Sequence, residues 1–166
     1  MKFNSNNLKI HKLNLEDSLE KFDFDCGDED LNNFLFIDSF KYIQNNLSII
    51  YLIFFQEELV GYFSLSSDAI KIKTLEIKHG FYPAVKIGRL AVNKKYQNQG
   101  IGSFIIKSAI SIILRTRNDI WIRFLSIDAY NDNKVIHFYS KFEFETLLKI
   151  KNRRNIPMYL DINMLR

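Results

Sequence analysis

The sequence predicts an α/β fold built on a mixed sheet. Two observations carry this prediction. The first half holds two strongly apolar runs, Ser48 to Phe55 and Leu59 to Ser66, close enough in sequence to pair as a hairpin. The second half alternates strand-like and helix-like segments in the order strand–helix–strand–helix–strand. The 166 residues fit one domain spanning 1–166, with enough chain to bury a core without disulfide staples.

Each element has its own warrant. Leu8 to Leu13 alternates, with Leu8 and Ile10 apolar and Lys9 and His11 polar between them, and reads as a first strand. Asp28 is a candidate N-cap. Acidic residues fill the turn after it, and Leu31, Phe34 and Leu35 form the apolar stripe of a helix running to about Gln44. Gln56, Glu57 and Glu58 join the hairpin strands. Ala69 to Ile77 alternates but is ambiguous, and Phe81, Tyr82 and Pro83 break the pattern. Val85 to Val92 reads as a strand. Gly102 to Arg117 repeats Phe104, Ile105, Ala109, Ile112 and Ile113 at helical spacing. Trp121 to Ala129 is a strand, Asp132 to Phe142 a helix, and Phe144 to Ile150 and Pro157 to Ile162 are two short final strands.

Composition narrows the function classes. A single Cys rules out an intrachain disulfide and any metal site built from several cysteines. Three scattered histidines give no metal-ligand spacing, so no metal is expected. The first twenty residues lack the apolar stretch of a signal peptide, and Ile49 to Phe55 is too short to span a bilayer. The expectation is a cytoplasmic protein with no membrane partner. A formal charge of +4 permits an anionic ligand or a nucleic acid and demands neither.

The chemistry concentrates in Val85 to Ile106. A strand ends at Val92, a polar loop follows, and Gly100 and Gly102 open an apolar helix. Such a junction aims backbone N–H groups and the positive end of a helix dipole outward, a ready site for phosphate or pyrophosphate. A plain helix start with flexible glycines fits the spacing equally well. No Gly-Lys-Ser/Thr follows, so this is not a P-loop. No third glycine follows either, so it is not the dinucleotide fingerprint.

Gln97-Asn98-Gln99-Gly100-Ile101-Gly102 resembles the Q/R-x-x-G-x-G/A signature of the GNAT N-acetyltransferases. Gly88-Arg89-Leu90-Ala91-Val92 looks like that family's fourth strand. Asp128-Ala129-Tyr130-Asn131 and His137-Phe138-Tyr139-Ser140-Lys141-Phe142-Glu143-Phe144 resemble its final motifs. The resemblance covers nearly the whole chain. Phe24-Asp25-Cys26-Gly27, Leu31, Phe34-Leu35 and Val60-Gly61-Tyr62-Phe63-Ser64-Leu65 are similar to the branch of GNAT toxins that acetylate aminoacyl-tRNA. The chain departs from the family at Glu143, where a Gly is usual, and at Val135, where a small Ala is common.

The resemblance implies a twisted, mostly antiparallel sheet of about six to seven strands, flanked by helices, with splayed central parallel strands. It implies acetyl-CoA as cosubstrate in that gap. Backbone groups of Leu90, Ala91 and Val92 would pair with the pantetheine amides. N–H groups from Asn98, Gln99, Gly100, Ile101, Gly102 and Ser103 would hold the pyrophosphate. Gln97 would shape the loop, Lys94 or Lys95 could reach the adenosine phosphates, and Asn131 and Phe138 would line the other wall. Tyr139 matches the family's general acid, and a phenol with a pKa near 10 can protonate a departing thiolate. An amide at Val92 or a neighbour could polarise the thioester carbonyl. No base is evident, with Glu76, His79 and Asp128 the candidates.

The resemblance also implies a primary-amine acceptor, aminoacyl-tRNA in the toxin branch, together with an antitoxin partner and a homodimer to which the last strand could contribute. The alternatives are a small amine or protein amino group as acceptor, or a non-catalytic CoA-sensing or RNA-binding module. Cys26 is expected to be structural, and His11, His79 and His137 show no triad spacing. Lys149 to Arg154 is a basic run that is either a solvated loop or, with Lys71, Lys73, Lys78, Arg115 and Arg117, an RNA surface. Arg89 is either a structural charge or a substrate contact.

Overall fold

The computed structural model describes residues 7–72, 80–116, 119–147 and 153–165. Seven strands follow the order β1-β2-β3-β4-β5-β7-β6: β1 Leu8–Lys12, β2 Ile49–Phe55, β3 Glu58–Ile70, β4 Tyr82–Val92, β5 Phe124–Tyr130, β6 Glu145–Thr146 and β7 Asn155–Asp161. The helices are α1 Glu29–Asn33, α2 Ser39–Gln44, α3 Ile101–Thr116 and α4 Asn133–Ser140. The mixed α/β class predicted from the sequence is the one observed. The chain forms two compact units, Met1–Ser66 with Gly88–Ala109 and Ser67–Ile87 with Ile110–Arg166.

In the first unit β1, β2 and β3 form an antiparallel meander. Its hairpin turns at Gln56, which takes a left-handed φ of 56°, and Glu58 belongs to β3 rather than to the turn. Ile10 is 42% exposed on the outermost strand, so the alternation in β1 does not mark a buried face. The predicted cap is present: Asp28 Oδ1 accepts the Leu31 N–H at 3.1 Å. The expected single helix is instead α1, one π-helical turn Phe34–Asp38, and α2. Within it Ser39, fully buried, returns its hydroxyl to the Leu35 carbonyl at 2.6 Å. Phe34, Leu35, Leu52 and Tyr62 are core residues here, and the Tyr62 hydroxyl donates to the Leu31 carbonyl at 2.7 Å.

In the second unit β5 pairs in parallel with β4 from Ala84↔Phe124 to Ile87↔Ile127, and antiparallel with β7 along its whole length. Tyr82, Ala84 and Phe124 are buried together, and the Tyr82 and Phe124 rings meet edge to face at 6.0 Å. That packing corrects the reading of Phe81, Tyr82 and Pro83 as a break, because β4 begins at Tyr82. Pro83 sits at the strand start, where its missing N–H is tolerated, and its carbonyl accepts the Arg123 N–H at 2.9 Å. Trp121, 84% exposed, lies outside β5. β3 extends to Ile70, which takes in the start of the ambiguous Ala69 to Ile77 stretch; residues 73–79 lie outside the described residues. The strand expected over Phe144 to Ile150 is two residues long among the described residues, and 148–150 lie outside them.

Asp132 caps α4, its Oδ1 accepting from Lys134 N at 2.8 Å and Val135 N at 3.2 Å. The other end closes as a Schellman motif. Phe144 N donates to the Tyr139 carbonyl, Glu143 N donates to the Ser140 carbonyl, and the Tyr139 and Phe144 rings meet at 5.7 Å. Glu143 occupies the left-handed position of that motif with φ 65°. This is why a glycine suits the position: a side chain there is strained by about 1–2 kcal/mol. Part of that relief is offset by the greater freedom of glycine in the unfolded chain. Glu143→Gly is therefore expected to raise stability by about 0.5–1 kcal/mol, read as a higher urea midpoint at unchanged slope.

Candidate active site

The loop after β4 is fixed by side chains that replace regular structure. Asn93 is buried. Its N–H donates to the Val60 carbonyl at 3.0 Å, its Nδ2 to the Asp23 carbonyl at 3.0 Å, and its Oδ1 accepts from Lys95 N at 3.1 Å. One 3₁₀ turn, Lys94–Tyr96, follows. Gln97 Nε2 then donates to two carbonyls, Cys26 at 2.8 Å and Val92 at 3.0 Å. Asn98 (φ 60°) and Gly100 (φ 97°) take left-handed conformations that turn the chain into α3. A Cβ on Gly100 would meet nothing within 4 Å, so the backbone faces open space.

α3 starts at Ile101 with Phe104 N bonded to the Gly100 carbonyl at 3.0 Å. The N–H groups of Ile101, Gly102 and Ser103 precede the first intrahelical bonds. No acidic residue stands in this first turn to neutralise them. Ile101, Ile105 and Ile106, all fully buried, anchor the helix. Gly61 allows the close approach, since a Cβ there would lie 3.1 Å from Ile105 Cδ1 and 3.0 Å from the Ala91 carbonyl oxygen.

Both lysines expected near phosphates are paired. Lys94 Nζ lies 2.8 Å from Asp25 Oδ2, and Lys95 Nζ lies 2.7 Å from Asp23 Oδ2. The Lys94 hydrogen bond, with those from Asn32 and the Gly27 N–H, lowers the Asp25 carboxyl to about 2. Asp23 raises Lys95. Cys26 is buried, and its Sγ lies 3.1 Å from Asn32 Oδ1; burial pushes its thiol up, which suits a structural role.

Leu90, Ala91, Val92 and Gln97 to Ser103 belong to the first unit, and Asn131, Phe138 and Tyr139 to the second. The β4–β5 ladder ends at Ile87 and Ile127, although β4 runs on to Val92. Tyr139 is buried, with Phe138 at 5.1 Å and Phe144 on its other neighbour contact. Desolvation pushes its phenol well above the usual range, and its hydroxyl has no hydrogen-bond partner among the described residues. Asn131, expected along a ligand wall, donates its N–H to the Arg154 carbonyl at 2.9 Å and its Nδ2 to the Arg153 carbonyl at 3.0 Å.

Of the candidate bases, Asp128 is bound to Lys86 at 2.6 Å, while Glu76 and His79 lie outside the described residues. Lys73, Lys78, Arg117, Lys149 and Lys151 lie outside them too. His11 pairs with Asp17 at 2.8 Å and His137 is exposed. Among the described residues no cluster of His, Cys, Asp and Glu could hold a metal, and no helix is long and apolar enough to cross a membrane.

The chain belongs to the acetyltransferase (GNAT) family, whose model matches residues 10–144. A tRNA-acetylating toxin of Mycobacterium tuberculosis is 33% identical over 63 residues, a stretch covering 38% of this chain and 37% of that relative's length. The fold is shared with the toxin AtaT complexed with acetyl-methionyl-tRNAfMet (TM-score 0.80, 23% identity, 95% of this chain and 96% of that one). It is also shared with a mutant AtaT bound to the C-terminus of the antitoxin AtaR and acetyl-CoA (TM-score 0.77, 23% identity, 95% and 94%).

Sequence reasoning missed what Gln97 binds, because the Cys26 carbonyl is far away in the chain. Gln97→Ala is expected to lower stability by about 1–2 kcal/mol, the net worth of two hydrogen bonds, in equilibrium urea unfolding.

Proposed function

We propose that this chain is an acetyl-CoA-dependent N-acetyltransferase acting in the cytoplasm on the amino group of aminoacyl-tRNA, as a toxin held in check by an antitoxin. The observation that carries the reading is the loop Gln97 to Ser103. Its left-handed turns at Asn98 and Gly100 open onto free space, and the unneutralised first turn of α3 follows. These residues fit a pyrophosphate. The main chain of Leu90 to Val92 lies past the end of the β4–β5 ladder and fits the pantetheine amides as a strand partner would. The acceptor and partner assignments are supported by the tRNA-acetylating relative and by the AtaT complexes.

Acetyl-CoA supplies an activated thioester. Leu90 to Val92 would orient it, with an amide there polarising the carbonyl. Lys94 and Lys95, held by exposed carboxylates, can exchange those partners for phosphate. The Tyr139 hydroxyl would donate its proton toward the sulfur as the C–S bond breaks and the amine nitrogen takes the acetyl group. Because burial raises this phenol, it stays protonated throughout the working range rather than ionising near 10.

The test is acetyl transfer from labelled acetyl-CoA to a charged-tRNA pool, beside uncharged tRNA and a panel of polyamines and amino acids. Label on charged tRNA alone is expected, and label only on a small amine would overturn the acceptor. Tyr139→Phe is expected to lower kcat by about 10²–10⁴ with acetyl-CoA affinity unchanged. In the wild type, kcat should show no falling limb below pH ~10. A falling limb below pH ~10 that disappears in Tyr139→Phe would contradict the raised phenol.

A further inference from the structure

Three cations stand between Gly88 and Gln97, namely Arg89, Lys94 and Lys95. The two lysines are neutralised by Asp25 and Asp23. Arg89 makes no ion pair among the described residues, yet it is held in place. Its guanidinium lies over the Phe34 ring at 5.1 Å from the centroid, and its Nη1 donates to the Gly88 carbonyl at 2.9 Å.

The shelf beneath it is rigid. Phe34 is buried and stacks on Tyr62 at 6.1 Å, and Tyr62 is tied to the Leu31 carbonyl. Arg89 itself is exposed. A guanidinium fixed by its face and by one N–H keeps a planar fork of further donors, the geometry that matches phosphate in two-point contact.

Arg89 also directly precedes Leu90 to Val92, where the thioester would lie. The reacting amine of an aminoacyl ester is itself positive or neutral. The nearest anion such an acceptor carries is a backbone phosphodiester beside its terminal nucleotide. We propose that Arg89, seated on Phe34, is the acceptor-specificity residue of this enzyme and binds a phosphodiester at the aminoacylated end of the RNA. The inference rests on the aminoacyl-tRNA reading and explains how an RNA acceptor is told from a free amine.

The experiment compares wild type, Arg89→Gln and Arg89→Lys in two measurements. One is KM for charged tRNA against KM for an amino-acid methyl ester. The other is binding of uncharged tRNA across a salt series. Arg89→Gln should raise the tRNA KM about tenfold, with a far smaller change for the ester, and should lower the slope of log affinity against log salt by about 0.7–0.9, one phosphate's worth. Arg89→Lys should keep the slope, because it keeps the charge, while losing part of the affinity through its lost fork.

Equal losses for tRNA and ester, or an unchanged salt slope in Arg89→Gln, would overturn the proposal. If the wild type acetylates the ester but no charged tRNA, the aminoacyl-tRNA reading fails. The slope measurement then still decides whether Arg89 binds an RNA phosphate.

Discussion

One side-chain amide holds the loop on which the rest depends. Gln97 Nε2 joins the carbonyl of Val92, the last residue of β4, to that of Cys26, in the turn before α1. With both carbonyls satisfied, the chain can leave β4, make one 3₁₀ turn and pass through two left-handed residues before α3 begins. Asn93, the first residue after β4, secures the start of the same loop by bonding the backbone of Val60, Asp23 and Lys95. The loop is thus built by polar side chains, which leaves its own N–H groups at the α3 start available for an anion. An aliphatic residue at either place would leave carbonyls or an N–H without partners.

The second unit solves a different problem, which is how to hold a buried tyrosine at a fixed place on a short helix. α4 has only eight residues, too few to be stable alone. It is closed at one end by Asp132 and at the other by the Schellman turn. That turn brings Phe144 back onto Tyr139, so the residue that ends the helix also fixes the ring. Glu143 shows the compromise: the motif needs a left-handed residue, and this chain places a glutamate there.

How much of this could be read in advance follows from range. The cap at Asp28 and the glycine-opened start of α3 depend on residues close in the chain, and the sequence displays them; Asp132, read as the first residue of its helix, is its cap instead. The π turn could not be read: the Ser39 N–H bonds the Phe34 carbonyl five residues back, and no residue type in the apolar stripe marks that change from the ordinary helical spacing. The start of β4 at Tyr82 depends on Phe124, and the engagement of Lys94 and Lys95 depends on Asp25 and Asp23, all distant in the chain. Asn131 was placed by resemblance on a ligand wall, and its amide is occupied by the backbone of Arg153. Arg89 stayed undecided because only the structure puts Phe34 beneath it.

The central claim is that the loop set by Gln97 receives the pyrophosphate of acetyl-CoA. It is tested most directly by calorimetric titration of the protein with acetyl-CoA and, in parallel, with acetyl-pantetheine, which keeps the thioester and amides but lacks the nucleotide. The account predicts that removing the nucleotide weakens binding by about 100-fold or more, the worth of two charge-assisted hydrogen bonds at about 1.5–3 kcal/mol each. Equal affinities for the two would show that the loop does not hold the pyrophosphate and would contradict the account.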